Sequence, residues 1–189
     1  IFFLPRIWQF LEKEIFILPG RIIVFFFGIF LLLLPLIMDD PYLLRIIIFS
    51  SIFAIFAASW DLLSGFTGQV NFGHALFFGV AAYTSALLNL HIGLPPWATV
   101  PLGALMAVVA GLAVGIPCLR LRGPYLALAT LAFPIILMGV VFTIPQITGG
   151  ELGVSGIAPL ARSRVMTYYI CVGLMIGLGL IMWKIATSK

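Results

Sequence analysis

Charged side chains are scarce in this chain: Asp, Glu, Lys and Arg make up 8% of its 189 residues, where a soluble domain carries about 25%. That shortage excludes an ordinary soluble domain. Cysteine is nearly absent too, and Cys118 and Cys171 both fall inside or at the edge of apolar segments, where a free thiol behaves as a small hydrophobe. They supply neither a disulfide framework nor a metal-ligand spacing. The ten basic residues are scattered between apolar runs. The net charge of +4 and pI near 9.4 therefore reflect membrane topology, not a nucleic-acid surface. A Walker lysine is also missing, so Thr148, Gly149 and Gly150 imitate a phosphate loop only superficially and no nucleotide site is expected.

What fills the chain is apolar: 63% hydrophobic residues, 17 Phe and a mean hydropathy of +1.25. This composition predicts an integral membrane protein, an all-α polytopic bundle of about six spans forming a single transmembrane domain over residues 1–189. Residues 1–21 mix Phe3, Ile7, Trp8 and Phe10 with Arg6, Lys13 and Arg21, broken by Pro5 and Pro19. They read equally as an interfacial amphipathic helix or a flexible tail. Residues 22–38 lack a small-x-small cleavage site and precede further spans, so they are a span and not a cleaved signal.

The second span is expected over residues 43–63, roughly 32 Å of helix. The third has an apolar part, 75–90, of only about 24 Å, short for a hydrocarbon core of about 30 Å. Crossing would draw Asn71, Phe72, Gly73 and His74 into the membrane, which predicts a broken helix. The fourth and fifth spans fall at 98–119 and 124–145, with Pro134 expected to kink the latter. A glycine-rich loop, 146–164, leads to a last span over 165–183. Placing the N-terminus inside puts seven basic residues (Arg6, Lys13, Arg21, Arg120, Arg122, Lys184, Lys189) in the cytoplasm and three (Arg45, Arg162, Arg164) outside, as the positive-inside rule prefers.

The chain is organised around residues 59–83, SWDLLSGFTGQVNFGHALFFGVAAY. Polar, glycine-rich backbone beside a bilayer must be buried in protein or line a cavity. Asp61, Gly65, Gly68, Gln69, Asn71, Gly73, His74 and Ser85 are therefore candidates for a translocation pathway or for a broken or re-entrant segment at 64–74, the latter of which would change the count of spans. His74 has no carboxylate or nucleophile at a recognisable spacing, so a hydrogen-bonding role at the break outweighs a catalytic one. His74, Ala81, Ser85 and Asn89 share a helical stripe that either lines a pathway or packs on a neighbour. Gly103, Ala107, Gly111 and Gly115 recur every four residues, and Gly173 and Gly177 repeat that spacing. Such small-residue ladders let helices approach closely.

Three motifs in order, LLSGFTGQVNFGHALFFGVAAYTSALL, LRLRGPYLALATLAFPIIL and ITGGELGVSGI, resemble the permease subunits of bacterial and archaeal branched-chain amino acid ABC transporters of the LivM type. The likeness covers about residues 59–183. Asp61 and Asn71 depart from it, standing where Asn and Ser are more usual. The resemblance implies an importer permease for hydrophobic amino acids in the prokaryotic cytoplasmic (inner) membrane, without a cofactor or metal of its own. Its implied partners are a homologous LivH-like second permease, two ATP-binding subunits that hold the ATP, and an extracytoplasmic substrate-binding protein. The family also implies a further half beyond Lys189, including the loop that couples to the ATPase. A polypeptide ending there is expected to insert but not to support uptake. Two other transport readings stay open: an ABC permease for urea or short amides, and a secondary transporter with a proton-coupled broken helix. A membrane-embedded enzyme is disfavoured, because no acid–base pair, metal cluster or activated nucleophile is present.

Overall fold

The computed structural model describes residues 19–37, 40–118, 120–121 and 123–188, with backbone alone for 19–25. The amphipathic segment expected over residues 1–21 lies outside the described residues except for 19–21, which open the first helix. The regular elements are helices: α1 (Pro19–Ile37), α2 (Pro41–Thr67), α3 (His74–Ile92), α4 (Pro96–Cys118), α5 (Pro124–Thr143), α6 (Pro145–Thr148), a 3-10 turn (Gly150–Leu152) and α7 (Arg164–Thr187). Five of them, α2, α3, α4, α5 and α7, are long and apolar enough to cross a membrane, and Phe26–Ile37 in α1 is a shorter apolar helix. The all-α polytopic expectation holds.

Helix boundaries differ from the expected ones where local capping extends them. α2 starts at Pro41 because Asp40 caps it, its carboxylate accepting the Tyr42 amide at 2.9 Å and its carbonyl the Leu44 amide at 3.1 Å, with Pro at the first helical position. The helix then runs through Ser64, Gly65 and Phe66 and stops at Thr67. Gly68 ends it with φ 62° while donating its amide to Ser64 O at 2.9 Å, a left-handed terminus that glycine adopts without strain. The break thus covers residues 68–73 and not the whole of 64–74. α3 is continuous from His74 onward, so the interruption precedes it.

Two units cluster separately: Ile1–Ala54 with Ser163–Lys184, and Ile55–Arg162 with Ile185–Lys189. In the first, Leu31, Leu44, Tyr168 and Val172 form the core. Pro35 has no amide to give the Leu31 carbonyl four residues earlier, and the Tyr168 hydroxyl takes its place at 2.6 Å. A neighbouring helix thereby satisfies a carbonyl that lipid could not. The second unit holds α3, α4, α5 and the break. There α3 and α4 form an antiparallel hairpin joined by three residues, Gly93, Leu94 and Pro95, and α5 and α6 pack on it.

Candidate functional site

The break climbs back along α2 instead of leaving from its end. Trp60 Nε1 donates to Asn71 O at 2.7 Å, and Ser59 Oγ lies 2.7 Å from His74 Nε2. His74, the first residue of α3, is thus level with Ser59, although α2 continues to Thr67, about 12 Å further at about 1.5 Å per residue. On the other side the Phe72 amide donates to Thr130 Oγ1 at 3.1 Å. Thr130 lies about 9 Å along α5 from Pro124. α3 therefore starts recessed by about two turns from the end of α2 and the start of α5, which accounts for its shortness in sequence.

Polar groups hold the recess in shape. Asn71 Oδ1 accepts the Gly73 amide at 2.7 Å, an Asx turn that delivers the chain into α3. The Ser59 hydroxyl donates its proton to Phe56 O at 2.8 Å. In the tautomer that fits this bond, His74 Nε2–H donates to Ser59 Oγ, leaving Nδ1 as a buried lone pair with no partner among the described residues, and orphaned acceptors are better tolerated than orphaned N–H groups. Ser64 Oγ is the other buried side-chain atom without a partner among the described residues. A third acceptor comes from Pro134, which deprives the Thr130 carbonyl of its helical donor; this oxygen stands 3.4 Å from where a Cβ on Gly73 would be. Around His74 are Phe56 at 5.0 Å and Phe77 at 6.0 Å between ring centroids, both edge-on, and Phe78 stands 5.7 Å from Phe56. The site joins hydrogen-bond acceptors to an aromatic wall. Among the described residues no three of His, Cys, Asp and Glu converge.

Asn71, Gly73 and His74 come together here, with Gly68 at the foot of the break. Asp61 and Gln69 are exposed, and Gly65 is helical with nothing within 4 Å of an added Cβ. Ser85 lies elsewhere, donating to Thr99 Oγ1 at 2.9 Å between α3 and α4. Its stripe packs on a neighbour: an added Cβ on Gly103 would strike Ala81 O, and Asn89 Nδ2 donates to Leu94 O at 2.7 Å. Further along the ladder, Ala107 is half-buried, and among the described residues Gly111 would meet only Phe77 at 3.7 Å, Gly115 nothing, and Gly173 and Gly177 likewise nothing within 4 Å. Trp60, Ser59, Thr130 and Pro134 were missed as site residues. Nothing in their local sequence pairs them with the break, although an indole and a proline inside apolar runs are the kind of signal that would prompt a search for partners.

These surroundings predict unequal glycines. Gly65→Ala is expected to leave folding unchanged or raise the thermal midpoint slightly, since Ala is favoured over Gly within a helix by about 1 kcal/mol. Gly68→Ala should cost about 1 kcal/mol through its positive φ, despite open space around it. Thermal unfolding of the purified variants in detergent would check the order, and equal effects at the two positions would contradict it.

The family described as branched-chain amino acid transport system / permease component matches residues 42–186. The high-affinity branched-chain amino acid transport system permease protein LivM of Escherichia coli (strain K12) is 41% identical over 106 residues, 56% of this chain and 25% of that protein. The protein of the same name from Salmonella typhimurium is 40% identical over equal shares. The match thus spans about a quarter of the length of these curated relatives. No solved structure matches the chain.

Proposed function

We propose, from the premise that this chain belongs to the branched-chain amino acid transport system permease family, that it serves a binding-protein-dependent ABC importer and passes hydrophobic, branched-chain amino acids across the membrane by alternating access. It is a multi-pass inner-membrane protein with five membrane-length helices among the described residues and a transport component, not an enzyme in its own right. In this reading ATP is bound and hydrolysed on two separate subunits, a homologous LivH-like permease pairs with the chain, and an extracytoplasmic protein delivers the solute.

One observation carries the reading to a site: the recessed start of α3. Interrupted helices at depth are where transporters expose polar backbone to a solute. Here the Thr130 carbonyl and His74 Nδ1 are acceptors suited to an ammonium group, and Phe56 and Phe77 offer an apolar wall to a branched side chain. Opening α2 from α3 would separate Ser59 from His74 and admit the solute.

Vesicles containing the permease pair, the ATP-binding subunits and the binding protein test this. Uptake of radiolabelled leucine is expected to require hydrolysable ATP. His74→Ala is expected to lower the rate about tenfold, equivalent to about 1.4 kcal/mol, without changing the yield of complex. Uptake driven by a proton gradient without ATP would instead establish a secondary transporter.

A further inference from the structure

The segment after α5 reads in sequence as a loop in water, yet its first part is built to do without water. α6 and the 3-10 turn both fold back on the end of α5, and Thr148 Oγ1 reaches Val141 O at 2.6 Å and Ile144 O at 2.8 Å. α5 has 20 residues, about 30 Å of helix, which matches the hydrocarbon core. An element folded beside its last turn lies at the acyl-chain boundary and not beyond it.

Two independent properties agree with that depth. The amides of Ile147, Thr148, Gly149, Gly150, Leu152 and Gly153 all donate to acceptors in or next to the turn, the condition irregular backbone must meet beside lipid. Closing so tight a turn takes positive φ at Gly149, Gly150 and Gly153, and at Gly149 an added Cβ would strike Gly153 O. The side chains point to the same environment. Leu152 at the tip is 97% exposed, and Ile144 and Ile147, which lie between α5 and the tip in the chain, are exposed as well. A single exposed leucine on a soluble loop would be unremarkable, but on a turn in which six of eight amides are paired it matches an acyl-chain environment.

We propose that the turn of residues 145–153 is a lipid-facing element, seated in the acyl-chain boundary of the bilayer with Leu152 as its anchor and Glu151 reaching the headgroup layer. The test uses the assembled transporter in vesicles of phosphatidylethanolamine and phosphatidylglycerol, with Cys118→Ala and Cys171→Ala and a nitroxide on Leu152→Cys or Ser155→Cys. At position 152 collisions with oxygen are expected to exceed those with a water-soluble nickel chelate severalfold, and at the exposed position 155 the order should reverse. Greater access to the nickel chelate at 152 would overturn the proposal in favour of an aqueous surface. Access to neither would overturn it in favour of burial under another protein. If loss of the buried Cys118 prevents assembly, a photoreactive benzoylphenylalanine at position 152 in the otherwise native chain gives the same decision. Crosslinks to lipid support the proposal, and crosslinks to protein or none refute it.

Discussion

Gly103→Leu is expected to abolish recovery of the folded transporter, and even Gly103→Ala should lower its yield and thermal midpoint. The α3–α4 hairpin closes so tightly that a Cβ at position 103 would enter the carbonyl oxygen of Ala81, with Ser85 Cβ 3.3 Å away. The obstacle is helical backbone, which cannot rotate aside as a flexible side chain can. Overpacking of a close-packed site costs about 1–3 kcal/mol, and an immovable obstacle puts this case at or above the upper end. The four-residue ladder implies equal weight for its members, but the structure grades them. Gly111→Leu should be milder, because Phe77 at 3.7 Å is an ordinary contact that can adjust, and Gly115→Leu milder still, with nothing within reach. Size-exclusion yield of the complex across the three leucine variants measures this; equal losses, or the largest at Gly115, would show that the hairpin is not what the ladder serves.

The second large effect is expected from Asn89→Leu. Asn89 is buried, its amide nitrogen donates to Leu94 O at 2.7 Å and its oxygen accepts the Ala158 amide, also at 2.7 Å. One side chain thus closes the α3–α4 turn and ties residues 144–162 to it. Leucine keeps the branched shape and the number of heavy atoms, although it is bulkier, while the part-buried Leu94 carbonyl and Ala158 amide both lose their partner, at up to about 1–3 kcal/mol each. The expected outcome is a lowered thermal midpoint with faster proteolysis of the 149–162 segment. Ser85→Ala is the contrasting variant: Thr99 Oγ1 retains the Pro96 carbonyl at 3.4 Å, so the change should be about 1 kcal/mol or less. An effect of Asn89→Leu no larger than that of Ser85→Ala would mean that water replaces both bonds and that the tie is not structural.

The span pattern, the helical class and the place of the interruption were legible in composition and run length, because a bilayer core of about 30 Å imposes one length and one hydropathy on every crossing helix. The shortness of residues 75–90 was itself the sign of a break, and Pro124 and Gly123 marked the start of α5. The same reading placed the break too widely at 64–74, since Gly65 carries no signal that distinguishes a helical glycine from one in a turn. That distinction belongs to φ, which is ordinary at Gly65 and 62° at Gly68.

Only the tertiary structure decided what meets the break. The bonds from Trp60 to Asn71 and from Phe72 to Thr130 join residues 11 and 58 apart, and no periodicity encodes the register of one helix against another. Pro134 read as a kink in α5, whereas in the fold it leaves the Thr130 carbonyl beside Gly73. Sequence determines which segments cross, because each must bury its own backbone in lipid. The fold determines which polar groups converge, because that depends on how far each helix is shifted along its neighbours, and for α3 that shift is two turns.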